Sequence, residues 1–235
     1  MESRKQFEDR ISDFAKESFF LEKKFFTTRE SVKEKVNSDN HFVGYFGDTI
    51  VFDLNSYNKE RIYSIASKLY NYVPECFCER LKEETMHLTL HDLSSAKRSE
   101  NVIEDVQKNE HRINQLLKFM KINPTNIRMK THYIANILNI SLVLVFFPVT
   151  DVDYLKLMTI YNLFDGIRTL DYKLTPHVTL GYFNVNGFGV SSVKKLERIV
   201  NELNKEEFEI VMRTDELFYQ HFTSMNDYRN IIKMV

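Results

Sequence analysis

At 235 residues the chain is long enough for one large or two small domains around a sizeable core. Its 32 basic and 33 acidic residues cancel, which excludes the clear basic excess of a protein that coats long nucleic acid and leaves a small phosphate ligand, or one short stretch of a larger one, as a compatible partner. Six glycines, four prolines, 19 phenylalanines and 12 tyrosines exclude a disordered or fibrous chain, and two cysteines spaced C-x-C (Cys76 and Cys78) are too few and too close for a disulfide framework or a structural zinc site.

The opening residues, MESRKQFEDRISDF, are charged throughout and lack the apolar stretch of a secretory leader. The longest apolar run, SLVLVFFPV at 141–149, is far short of a membrane span. A cytoplasmic protein with no membrane partner is expected. Within residues 1–36, Phe7, Ile11, Phe14, Ser18, Leu21 and Phe25 recur at steps of three and four and predict a helix with one mostly apolar stripe. The turn signal NSDN at 37–40 ends it, so residues 1–40 read as a helical N-terminal extension.

From residue 41 the order of elements repeats. A strand at 49–54 (TIVFDL) leads to a helix near 58–73 and a strand at 86–91. A helix near 99–120 and a strand at 126–134 (NIRMKTHYI) close the first half. The second half has a strand at 140–147, a helix near 153–165 and a strand at 177–183. It ends with a helix near 191–204, capped by Ser191 or Ser192, and strands within 208–223. This predicts an α+β domain over 41–235, built as two duplicated strand–helix–strand–helix–strand lobes (about 41–134 and 135–235) with pseudo-twofold symmetry.

Ninety residues apart, the third element of each half carries a similar tetrapeptide, His87-Leu88-Thr89-Leu90 and His177-Val178-Thr179-Leu180. On a strand side chains alternate faces, so each motif presents one imidazole and one hydroxyl together while the apolar residues anchor the strand. Composition alone predicts a tetrapeptide of this pattern fewer than about 0.1 times in such a chain. A looser match, His221-Phe222-Thr223, ends in Ser224 and lies outside the repeat register.

Two histidines flanking a cleft suit transfer at phosphorus, where one group removes a proton from the attacking oxygen and the other protonates the leaving oxygen. Thr89 and Thr179 would donate to the non-bridging oxygens. The motif segments are poor in carboxylates, so neither a metal nor another cofactor is expected.

These two H-Φ-T-Φ motifs, in a duplicated α+β chain, resemble the 2H phosphoesterase superfamily, including its LigT-like members labelled 2′-5′ RNA ligases. The second motif matches best, continuing as P-H-V-T-L-G-Y; the first departs in the His91-Asp92 that follows it. The resemblance implies His87 and His177 as the acid/base pair, in either assignment, and Thr89 and Thr179 as phosphate ligands. It also implies a metal-independent phosphodiesterase acting on a nucleotide or RNA, at a 2′,3′-cyclic phosphate or a 2′-5′ linkage. Two alternatives remain: a protein of this fold that binds a nucleotide or RNA end without turnover, and a hydrolase of a signalling oligonucleotide.

Among the aromatic residues, Tyr219 and His221 share a face of the last predicted strand and are the candidates for stacking on a nucleobase. His91 is expected to face the same side as Thr89, at a strand end. Tyr182 is expected to face away from His177, into the core. Arg128 and Lys130 alternate with apolar residues and line either the cleft or a solvated strand face.

Overall fold

From residue 41 onward each predicted element has a counterpart in the computed structural model, which describes residues 2–18 and 25–235, with 14–18 described by backbone alone. The first half holds β1 (Phe46–Asp53), α2 (Ser56–Tyr72), β2 (His87–Ala96) and α3 (Ile103–Phe119), preceded by α1 (Arg4–Ser18). There follow β3 (Asn126–Ile137), β4 (Ser141–Pro148), α4 (Asp151–Asp165), β5 (His177–Tyr182), α5 (Val190–Leu203), β6 (Glu209–Arg213), β7 (Leu217–Ser224) and β8 (Asp227–Lys233). Local chemistry explains the helix starts. Asn55 accepts from the Asn58 amide ahead of α2, and Thr150 from the Asp153 amide ahead of α4. At α5 the cap is Gly189, and Ser192 instead donates from Oγ to Glu75 at 2.8 Å.

The strands form two four-stranded antiparallel sheets, in the orders β2-β1-β7-β8 and β5-β4-β3-β6. In both, the strand bearing the motif is an edge, and the two edges lie beside each other where the sheets meet. The fold is thus α+β and bilobal, but the lobes do not divide at residue 134. β3, predicted to close the first lobe, joins the second sheet between β4 and β6, while β7 and β8 return to the first sheet beside β1.

A tight turn explains the exchange of β3. Leu138 and Asn139 take φ of 52° and 58°, the left-handed central pair of a turn closed by the Ile140 amide on the Ile137 carbonyl, and this three-residue loop joins β3 to β4 directly. Asn136 Oδ1 accepts from the Asn139 amide and holds the turn without a glycine. β8 escapes period-two reading because it is a mostly exposed edge, DYRNIIK, with no apolar alternation.

The N-terminal region departs from one long helix. α1 buries Phe7 and Ile11 against β3 and β4, with Phe7 packed on Phe147 and Tyr154. The side chains of Phe14 and Ser18, and Leu21, lie outside the described residues. Residues 25–29 are not helical: Phe26 bridges to Phe188 and stacks on it at 4.4 Å, while Phe25 is exposed. The chain then makes a short 3-10 turn (Glu30–Glu34) and a bridge between Val36 and Phe42.

Candidate active site

β2 and β5 set His87, Thr89, His177 and Thr179 on half-buried positions, each alternating with a buried Leu or Val. The register pairs His87 with Asp53 and Thr89 with Val51 on β1, and His177 with Val145 and Thr179 with Val143 on β4. Each motif is then followed by the same irregularity. Leu90 is an extra residue against β1 and Leu180 an extra residue against β4, so the side-chain alternation resets directly after both motifs.

This reset overturns two expectations. His91 pairs with Ile50 and turns to the covered face, where it is 1% exposed, packs against Tyr161 and meets Asp165 at 3.3 Å. Asp92 takes the cleft face in its place, opposite Thr49. On β5 the reset puts Tyr182 on the face of His177 and Thr179, where it is buried beside Phe42 with Lys35 Nζ 5.3 Å from its ring centroid. Gly181 permits that geometry: a Cβ there would meet the Tyr70 hydroxyl of α2 at 2.7 Å. That glycine was the one sequence signal of a bulge; the first motif carries none.

The two motif histidines are held alike. His87 Nδ1 donates to the Thr85 carbonyl and His177 Nδ1 to the Thr175 carbonyl, each at 2.7 Å. A carbonyl only accepts, so the proton of each neutral ring lies on Nδ1 and Nε2 keeps its lone pair. Among the described residues neither Nε2 has a hydrogen-bond partner, and neither do the hydroxyls of Thr89 and Thr179.

Burial pushes His87 down to about 4, opposed by the Thr85 carbonyl and by Asp53 and reinforced by Lys59 and by His177 itself. His177 is also lowered by burial, against the Thr175 carbonyl and the nearby Asp92. The ring of Tyr228 lies 4.8 Å from that of His87, and a cavity of about 480 Å³ opens beside them, lined also by Asp53, Lys82, Gln220 and Asn230. Tyr45 and Tyr228 both pack on Phe222, extending an aromatic row along this face.

The lowered His87 makes stability depend on acid. As pH falls, the unfolded chain takes up the imidazole proton near 6.5 and the folded one only near 4, so folding is fully favoured above 6.5. It is weakened through that window by up to about 3 kcal/mol from this group. A His87→Gln variant is expected to lose less stability than wild type between pH 7 and 4.5 in urea titrations; parallel losses would refute the shift.

Tyr219 and His221, the candidates for base stacking, lie on the other side of the sheet. They pair with Ile50 and Asp48 on β1, so they share the face of Phe52 and not that of Val51 and Thr89. Tyr219 is wholly buried and donates to Asp48 Oδ2 at 2.9 Å, while His221 meets the Tyr219 hydroxyl at 3.0 Å and Glu110 of α3 at 3.5 Å. Their adjacency was legible, but which face they occupy depends on pairing with β1. Burial raises Asp48, against hydrogen bonds from Asn109, the Ser94 amide and Tyr219. Tyr219→Phe is therefore expected to destabilise the fold by about 1–3 kcal/mol in thermal or urea unfolding while leaving any turnover unchanged.

Arg128 contacts Asp153 at 3.5 Å on a strand two removed from β5, and Lys130 is exposed, as on a solvated face. Burial pushes both cysteine thiols up to about 12, which leaves them unreactive core residues. Among the described residues no three His, Cys, Asp or Glu side chains are grouped to hold a metal ion, and no helix is long and apolar enough to cross a membrane.

No protein-family model matches the chain, and no curated protein matches it in sequence. Solved structures do match. A conserved protein of unknown function from Agrobacterium tumefaciens is similar at a TM-score of 0.66 and 13% identity, over 86% of this chain and 90% of its own. LigT of E. coli complexed with 3′-AMP is similar at a TM-score of 0.45 and 14% identity, over 80% of this chain and 96% of its own. A protein of Thermus thermophilus matches at 0.42 and 14%, over 82% and 97%. The fold is shared with the Agrobacterium protein.

Proposed function

We propose that the chain is a two-histidine, metal-independent phosphodiesterase that opens a 2′,3′-cyclic phosphate or a 2′-5′ linkage at a nucleotide or RNA end. The observation that carries this reading is the twofold repetition of one chemical setting. Two imidazoles are locked in the same tautomer by equivalent carbonyls, each with a free Nε2 and a free threonine hydroxyl on its own face. The motifs' resemblance to the 2H phosphoesterases supports it.

The surroundings of the two rings support one assignment of roles. His87, held at about 4, is neutral near pH 7 and serves as base, taking a proton from water as its oxygen attacks phosphorus. His177, with Asp92 favouring its charged form, is the better placed to start protonated once an anionic phosphate enters, and it returns that proton to the departing ribose oxygen. Thr89 and Thr179 donate to the non-bridging oxygens. The ring of Tyr228, beside His87 in the wall of the cavity, supplies a face for a nucleobase.

Incubation with 2′,3′-cyclic mononucleotides and with 2′-5′ and 3′-5′ linked oligonucleotides, followed by product analysis with and without EDTA, tests this. Turnover of the first or second class, unaffected by the chelator, is expected. Tight binding with no product from any of them would establish the non-hydrolytic alternative instead.

A further inference from the structure

The segments that precede the two motif histidines are pinned by a repeated pattern of hydrogen bonds. Residue i−2 gives its carbonyl to the imidazole in both cases, as described. The carbonyl of residue i−3 accepts from a cation in both cases: Lys59 Nζ of α2 donates to Glu84 O at 2.9 Å, and Arg10 Nη2 of α1 donates to Leu174 O at 3.0 Å. Each cation is itself anchored by a carboxylate, Lys59 by Asp53 at 2.7 Å and Arg10 by Glu2 through Nε at 2.9 Å and Nη2 at 3.2 Å.

The two segments differ in what else supports them. Before His87 the chain makes its own 3-10 turn (Glu83–Thr85), closed by the Met86 amide on Glu83 O and by Thr85 Oγ1 on Lys82 O. Before His177 the connection from α4 has no regular structure from residue 168 to 176, and Pro176 brings no amide hydrogen. Its fixed points are external: the Phe146 amide of β4 on Pro176 O at 2.9 Å, Tyr172 to Asp92 at 2.6 Å, Lys173 to Glu2 at 3.6 Å, and Arg10 to Leu174 O and, at 3.5 Å, to Thr175 Oγ1. Arg10 thus grips the residues that carry and precede the carbonyl holding His177.

We propose that Arg10 is a positioning residue for His177, so that the N-terminal helix, outside the duplicated unit, completes for the second histidine what Lys59 of α2 does for the first. The proposal rests on reading His177 as one of the reacting pair, but the ring's tautomer can be observed without turnover. α1 is seated for the task by Phe7 and Ile11 in the core and by the Tyr133 hydroxyl on the Ile11 carbonyl.

The experiment is a crossed one, in the full chain, with long-range proton–nitrogen NMR spectra of the histidine rings and steady-state kinetics. In Arg10→Met, the His177 ring is expected to move from the pure Nδ1–H tautomer to a mixture while His87 stays unchanged. Any diester turnover should lose kcat by on the order of tenfold or more with KM little altered, the mark of a misplaced reacting group. Lys59→Met should do the mirror image, disturbing His87 and sparing His177. Arg10→Lys, which keeps a donor within reach of Leu174 O, should restore most of the tautomer and rate, and it carries the test if the methionine variant does not fold. An unchanged His177 in Arg10→Met, or equal disturbance of both rings in either variant, would overturn the proposal. If wild-type protein turns over no diester, the functional reading fails and the ring spectra still decide the role of Arg10.

Discussion

His87→Ala and His177→Ala are each expected to lower kcat by about 10²–10⁴-fold on whichever diester the protein turns over. The double variant should be little worse than the poorer single one, because acid and base act in one displacement and their losses do not add. Unfolding curves should show that both singles remain folded, since the adjoining Leu88 and Val178 that seat the strands are untouched. The pH profiles separate the roles. A base must be neutral, so removing His87 should abolish the acidic limb of the rate profile; an acid must be protonated, so removing His177 should abolish the alkaline limb. Turnover surviving in the double variant would sink the reading of this site.

Thr89→Val and Thr179→Val should each cost about 10²–10³-fold in kcat, the scale of a lost donor to a transition-state oxyanion. Valine keeps the branched shape and strand preference and removes only the hydroxyl, so stability should change little at these half-buried positions. Neither hydroxyl spends its hydrogen bond within the described protein, which leaves both free for a ligand. Serine at either position should recover most of the rate. If valine raises KM while sparing kcat, these hydroxyls bind the ground state alone, and the proposed donation to the transition state fails.

The period of two and the spacing of the two motifs made the paired site legible, because strand alternation alone places His87 with Thr89 and His177 with Thr179. What lay beyond reach was long-range. Asp92 and Tyr182 changed faces through bulges at Leu90 and Leu180, which depend on how the neighbouring strands pair and which alternation within one strand cannot foresee. Alternation likewise places Tyr219 and His221 together on one face, yet the face belongs to α3, and only the pairing Ile50 to Tyr219 reveals it. Arg10 was one charge among many on a charged helix; its importance comes from the irregular chain it meets 164 residues away.

The exchange of strands between the sheets sets how the site comes into being. β1 is flanked by β2, close by in sequence, and by β7, which pairs residues as far apart as Gly47 and Phe222. The first sheet therefore gains its third and fourth strands and the Tyr228 wall only after the chain has passed through the whole second sheet and come back. Closing so long a loop is entropically slow, and until it closes β1 presents an open edge rich in buried-type side chains. A proteolytic cut at the Leu138–Asn139 turn would leave neither fragment with a whole sheet, since β3 lies on one side of the cut and its partners β4 and β6 on the other. The two histidines share one fate in folding, as they do in the chemistry proposed for them.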